Sequence, residues 1–249
     1  MTGLGTILNV GAIVAGGFAG IIFRNFLKEH YQETITKATG VSVIFLGTAG
    51  ALSKILYVDP QTGTVGTQKL MMMILSLALG AVLGEIIDID RKIEQFGEWL
   101  KIRSGNSGDS QFVNAFVTSS LTVCIGAMAI IGSIQDGISG DYSTLAAKSV
   151  LDFIIILIMA SSLGKGCIFS AIPVGVLQGS VTLLARLIQP LMTRAALDNI
   201  SLTGNILIFC VGVNLVWKGT VKVANLLPVL IFAVLFAFLP VPVRRRLNE

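Results

Sequence analysis

Lys148 and Asp152 stand four positions apart in an otherwise apolar run, which puts both on one face of a helix. Paired, two opposite charges enter a low-dielectric interior at lower cost than either alone. Such a pair can bind a charged solute or carry a proton, or it can simply tie helices together. On the second reading, exchanging both charges should largely restore whatever a single substitution loses. Glu85 closes the stretch Leu79-Gly80-Ala81-Val82-Leu83-Gly84-Glu85. It is either a cation or proton site or a carboxylate solvated at the inner interface beside Asp88 and Asp90. Gly80 and Gly84 form a small-xxx-small pair that lets a neighbouring helix come close. Asp136 and Asp141 fall in Gly132-Ser133-Ile134-Gln135-Asp136-Gly137-Ile138-Ser139-Gly140-Asp141, whose glycines and acids predict a break in the apolar pattern. That break could be an outer vestibule whose carboxylates attract cations. Asp141, followed by Ser143 and Thr144, also suits a helix N-terminus.

Uncharged polar groups recur in the apolar runs. Asn114, Thr118, Ser119 and Thr122 fall near helical spacing, giving one run a wet face. Asn9, Gln178 and Ser180 add donors and acceptors, and Asn205 and Asn214 face about opposite ways, so at most one meets a central path. A path lined by Glu85, Lys148 and Asp152, with Asn9, Asn114 and Asn214 as weaker members, would suit a small polar solute or ion. Without a path, the same groups make interhelical hydrogen bonds worth about 0.6 kcal/mol each.

Most other chemistry is missing. The lone histidine, His30, sits in a charged stretch and reads as a surface residue; with no cysteine near it, it makes no standard zinc site. Cys124, Cys167 and Cys210 form no C-x-x-C and are odd in number, so they read as packing residues. No Walker loop, dinucleotide fingerprint or catalytic serine motif is present. The sequence therefore predicts no enzyme and no cofactor, and it names no metal.

These groups must be placed by membrane helices. Of 249 residues, 53% are hydrophobic and 13% charged, against roughly 25% charged in a soluble domain. A bilayer core of about 30 Å needs about 20 apolar residues as helix. Eight segments qualify in outline: 4–26, 36–58, 70–89, 112–134, 144–163, 168–188, 201–217 and 226–239. They are too long and too continuously apolar for the alternating strands of a membrane barrel. The first has no basic residue before it and is read as a permanent span, not a cleaved signal. The expectation is one integral membrane domain over 1–249, an all-α polytopic transmembrane bundle of seven or eight spans, with the bilayer as its first partner.

Basic residues orient it. Arg24, Lys28, Lys37, Arg91, Lys92, Lys101, Arg103, Lys165, Lys218 and Lys222 fall on one side; Lys54, Lys69, Arg194 and the tail Arg244–Arg246 fall on the other. The N-terminus is thus expected outside and the connection 91–111 inside a bacterial plasma membrane. The basic tail conflicts with eight full crossings, which makes segment seven, the shortest plausible crossing, a candidate for re-entry. Ile93, Phe96 and Leu100 share a helical face, so residues 90–101 are either an interfacial helix with Trp99 at headgroup level or the polar end of span three. The net charge of +4 follows from the inner-side basic residues and does not argue for nucleic acid.

A shift of 164 positions aligns Thr39-Gly40 with Thr203-Gly204, Ile44-Phe45 with Ile208-Phe209 and Lys54 with Lys218. Residues 1–90 and 168–241 could thus be two copies of a three-helix unit, of opposite topology, a device of transporters. The stretches Gly5-Thr6-Ile7-Leu8-Asn9-Val10 to Gly20, Leu79 to Glu85, Gly132 to Asp141, Ala147-Lys148-Ser149-Val150-Leu151-Asp152-Phe153 and Asn225-Leu226-Leu227-Pro228 resemble the bacterial inner-membrane family of the domain of unknown function 554. The resemblance covers essentially the whole chain. It implies a multispan membrane protein of transporter type and carries over no substrate and no catalytic residue. The leading expectation is a secondary transporter or channel-like carrier of a small polar solute or ion. The rival is a non-transport scaffold or partner subunit, and a homo-oligomer suits either.

Overall fold

A computed structural model describes residues 2–26, 29–125, 127–217 and 219–239. It is an all-α bundle. In chain order the helices are α1 (Leu4–Phe26), α2 (Glu29–Ile55), α3 (Leu70–Ile87), α4 (Ile89–Arg103), α5 (Phe112–Cys124), α6 (Ala127–Ser139), α7 (Ser143–Leu163), α8 (Ala171–Leu183), α9 (Ala185–Ile188), α10 (Arg194–Val216) and α11 (Val229–Ala237). A two-stranded antiparallel hairpin, β1 (Leu56–Val58) with β2 (Val65–Thr67), joins α2 to α3. Among the described residues, six helices are long and apolar enough to cross a membrane, or seven if the bent pair α5–α6 counts as one. The stretch Val223–Ala237 is a shorter apolar helix.

Two pairs of glycine-bearing helices frame the bundle. Gly16 and Gly20 of α1 lie against the backbone of Phe153 and Leu157 of α7; a Cβ on Gly16 would stand 2.5 Å from the Phe153 carbonyl oxygen. Contacts advance together along both chains, so α1 and α7 run parallel. Gly40 of α2 faces Gly212 of α10, Gly47 faces Phe209, and Lys54 pairs with Asp198, so these helices run antiparallel. Such close backbone approach is what holds helices together where lipid removes the hydrophobic drive. Ile13, Ile156, Met159, Cys167 and Val174 fill the space where α1, α7 and α8 meet.

Several sequence expectations need correction. Leu56–Val58 form the hairpin strand and not the end of span two, and helix α2 starts earlier, taking in His30, which is exposed. Segment 112–134 is broken: α5 ends at Cys124, Ile125 turns extended (φ −79°, ψ 122°), and the next helix leaves at 63°. Gly132 to Ser139, read as the break, is helical instead. Segment seven is no re-entrant fragment, since α10 runs 23 residues. Its start was hidden by Asp198, which Lys54 of α2 (2.7 Å) and Lys69, just before α3 (3.8 Å), neutralise. Thr193 caps it, its hydroxyl accepting from the Ala196 N–H at 3.2 Å. The short element is α11. Residues 90–103 lie in a separate amphipathic helix, set off from α3 by Asp88 in the left-handed region (φ 54°).

The 164-residue shift carries Glu29–Ile55 onto 193–219, a range that α10 nearly fills. α10 packs along α11, and no contact of similar extent joins α2 to α3. The main partner of α1 is α7, which lies outside both three-helix units. Lys28, Lys218 and the tail Arg244–Arg246 lie outside the described residues.

Candidate functional site: a buried ion pair at a broken helix

Where α5 stops, its last carbonyls have no partner within the helix and carry the negative end of the helix dipole. Lys148 of α7 meets them: its Nζ donates to the Val123 carbonyl at 2.9 Å. The same ammonium donates to Asp152 Oδ1 (2.8 Å) and Oδ2 (2.7 Å). Asn9 of α1 completes the group, Nδ2 donating to Asp152 Oδ2 at 2.9 Å. All three side chains are buried, Lys148 at 7%, Asp152 at 2% and Asn9 at 0% exposure. The sequence-predicted members Lys148, Asp152 and Asn9 therefore form one cluster. Two helices hold it, α1 and α7, and the break in a third, α5, supplies its acceptor.

Asp136 belongs to the same region but is no vestibule residue. It is fully buried, and its Oδ2 accepts the N–H groups of Gly3 and Gly5, both at 3.1 Å. A carboxylate at the start of α1 complements that helix's positive end. Asp141 does stay exposed, where it accepts the Ser143 N–H at 3.0 Å and thereby starts α7. That hydrogen bond holds its carboxyl below the usual aspartate range.

On the other side of the break a cavity of about 520 Å³ opens between α4, α5, α10 and residues 219–223. Asn114 and Thr118 line it from α5 and Asn214 from α10. Asp90, Glu94 and Glu98 line it from α4, one helical turn apart each. Burial pushes the Asp90 carboxyl up, and the charge of Lys222 opposes that. Leu121 is the cavity-lining residue of α5 nearest the break, and Thr122 and Val123 follow it directly. At about 1.5 Å rise per residue, the lining of the cavity stops roughly half a turn short of the carbonyl that Lys148 holds. Asn214 thus faces the cavity, its side chain also bonding both backbone groups of Val221. Asn205 packs against Gly50 of α2, away from it.

Glu85 is not brought to the pair. Its carboxylate accepts from Lys222 (2.9 Å) and Asn225 (2.6 Å), with both ends of the ion pair about 60% exposed. Asn225 also accepts the Asp90 N–H at 2.7 Å, so Glu85 belongs to a strap between α3, α4 and the start of α11. Sequence reasoning missed the acidic stripe of α4 as a cavity wall and missed the helix break. The signal for the break was Gly126, which follows Ile125 in the sequence.

The chain is 28% identical over 228 residues to the uncharacterized membrane protein YdfK of Bacillus subtilis (strain 168), covering 91% of this chain and 92% of that relative. It is 27% identical over 234 residues to the uncharacterized protein YqgA of Escherichia coli (strain K12), covering 92% and 94%. No solved structure matches it significantly. The model of the family described as a protein of unknown function, DUF554, matches residues 4–238, and with nearly the whole chain inside that match, this multispan membrane protein belongs to the DUF554 family.

Proposed function

We propose that the protein is a secondary transporter or channel-like carrier of a small polar solute or ion. The observation that carries this reading is the broken helix α5–α6, whose carbonyl end meets the buried pair Lys148–Asp152 just beyond a polar cavity. Discontinuous helices with charged groups at their ends are how membrane carriers bind ions and solutes away from water. The pair gives the binding step an energetic form. A solute carboxylate can take the place of Asp152 at Lys148, or a cation the place of Lys148 at Asp152. Either exchange stays neutral in the low-dielectric site when a proton moves with it: Asp152 takes one up as the solute carboxylate binds Lys148, or Lys148 gives one up as the cation binds Asp152. No nucleotide motif is present, so a gradient would drive the movement.

The test is uptake by proteoliposomes across a panel of inorganic ions, amino acids and organic acids, with each gradient imposed in turn. At least one solute should move faster than in protein-free vesicles, and Lys148→Met/Asp152→Leu should abolish the movement while the protein still inserts. Uptake no faster than in protein-free vesicles across the panel would favour a scaffold or partner subunit. That alternative has support in the glycine-lined contacts of α1 with α7 and α2 with α10.

The reading includes a bacterial plasma membrane with the start of α1 outside. The cavity end of the bundle carries Arg24, Lys37, Arg91, Lys92, Lys101, Arg103, Lys165 and Lys222, against Lys54, Lys69, Arg186 and Arg194 at the other. Ser107→Cys, in a background lacking Cys124, Cys167 and Cys210, should resist an impermeant thiol reagent in intact cells and react after permeabilisation. Reaction in intact cells would reverse the orientation and open the cavity outward.

A further inference from the structure

Helices α1, α6 and α8 meet pairwise beyond the ion pair, on the side where α1 begins. Each turns two polar side chains inward at helical spacing: Thr6 and Asn9, Ser133 and Asp136, Gln178 and Thr182. All six are at most 9% exposed. Yet Thr6 Oγ1, Asn9 Oδ1, Ser133 Oγ, Asp136 Oδ1, both polar atoms of Gln178 and Thr182 Oγ1 have no hydrogen-bond partner.

For the hydroxyls this is a choice of direction. A buried serine or threonine in a helix can always give its proton to the carbonyl one turn back. In this chain Thr36, Thr39, Thr48, Ser119, Thr122, Ser149 and Thr203 do so. Thr6, Ser133 and Thr182 do not, and an unmade hydrogen bond on a buried polar group costs about 1–3 kcal/mol. Small residues bring their oxygens close. Gly137 lies against the carbonyl of Thr182, a Cβ on Gly175 would stand 3.3 Å from Val10, and one on Gly5 would stand 3.2 Å from Asp136 Oδ2. The Gly3 and Gly5 N–H groups fix Asp136 Oδ2 and leave Oδ1 unused. A cavity of about 460 Å³, lined by Thr2, Thr6, Gly137, Gly179 and Thr182, leads in from the end where α1 begins.

We propose that α1, α6 and α8 enclose a binding site for a monovalent alkali cation, Na+ in the first instance, with Asp136 as its charged ligand. The donor set is one carboxylate oxygen, the amide oxygens of Asn9 and Gln178 and the hydroxyls of Thr6, Ser133 and Thr182. Hard oxygen donors suit hard cations, and a single carboxylate matches a single positive charge. No group of three or more His, Cys, Asp or Glu among the described residues could hold a metal, which speaks against a divalent site. Asn9 joins the two regions: its Nδ2 holds Asp152 while its Oδ1 is free for the cation. Cation binding would thus fix the residue that orients the ion pair. The site rests on the carrier reading only for its use, as a coupling site; binding itself needs no transport.

The experiment is equilibrium binding of radioactive ²²Na+ to the full-length protein in nanodiscs, with choline holding ionic strength constant. Saturable binding that unlabelled Na+ displaces is expected. Asp136→Asn, which keeps an acceptor for Gly3 and Gly5, should abolish it. Ser133→Ala and Thr182→Val each remove one oxygen and should raise the apparent Kd by about tenfold, the size of one lost bond to a charge. Failure of Asp136→Asn to fold leaves those two variants to decide. No saturable Na+ binding, or binding unchanged in both hydroxyl variants, overturns the site. Saturable binding in a protein that moves no solute supports the site and counts against the carrier; solute uptake without Na+ binding overturns the site alone.

Discussion

Asp152→Leu should lower the stability of the protein by about 3–5 kcal/mol, because it strands the Lys148 ammonium in a dry interior. Lys148 keeps the Val123 carbonyl but loses its counter-charge, and Asn9 Nδ2 loses its acceptor. Thermal unfolding in detergent, read with membrane abundance, measures this. Lys148→Met/Asp152→Leu should recover most of the loss, since two apolar side chains leave no charge unpaired. Exchange of the two charges should not, contrary to what spacing alone suggests. The pair is directional: an aspartate at 148 would face the Val123 carbonyl, acceptor against acceptor, and a lysine at 152 would face a side-chain amide donor. If the reversed protein is as stable as the original, these two neighbours do not define the site. If Asp152→Leu alone is neutral, the pair is not buried as described.

That difference shows where sequence reasoning stops. The Lys148–Asp152 pair was legible because both residues belong to one helix, and a spacing of four is a local property. The long apolar helices were legible because about twenty apolar residues leave little else to form. What stayed hidden depends on residues far apart in the chain. Asn9 finds Asp152 across 143 positions, and Asp136 finds the amides of α1 across 131 and 133. Asp136 looked like a loop residue because an acid beside glycines usually is one. Burial at the start of another helix cannot be read from its neighbours in sequence. Asp198 likewise made the start of α10 look too polar until Lys54 and Lys69 supplied its counter-charges. The helix break was masked by the opposite effect: the residues on both sides of Ile125 are apolar, so hydropathy runs through it unchanged. Sequence leaves Glu85 between path and interface, and its partners Lys222 and Asn225, 137 and 140 positions away, put it at the exposed strap.

Gly84→Val should destabilise the protein by about 3 kcal/mol, the upper part of the range for overpacking, because backbone lies where the new side chain must go. The carbonyl of Asn225 rests directly on Gly84, and Val229 rests on Gly80 one turn earlier. Side chains can rotate away from an added methyl group; a carbonyl in a turn between two packed helices can move only with its segment. The segment that would move does three things. Asn225 holds the Asp90 N–H and Glu85, Val223 and Ala224 pack in a cluster with Leu121 and Val211, and residues 219–223 wall the polar cavity. The substitution should therefore change the cavity as well as the stability. With Cys124, Cys167 and Cys210 removed, Asn114→Cys should react faster with a polar thiol reagent when Gly84→Val is also present. Gly11→Val is the control: nothing lies within 4 Å of a Cβ there, so the same change in another apolar helix should leave both readouts where they are. Equal losses at Gly84 and Gly11 would mean that valine in an apolar helix is harmful by itself, and the tight approach of Asn225 to α3 would no longer explain the effect.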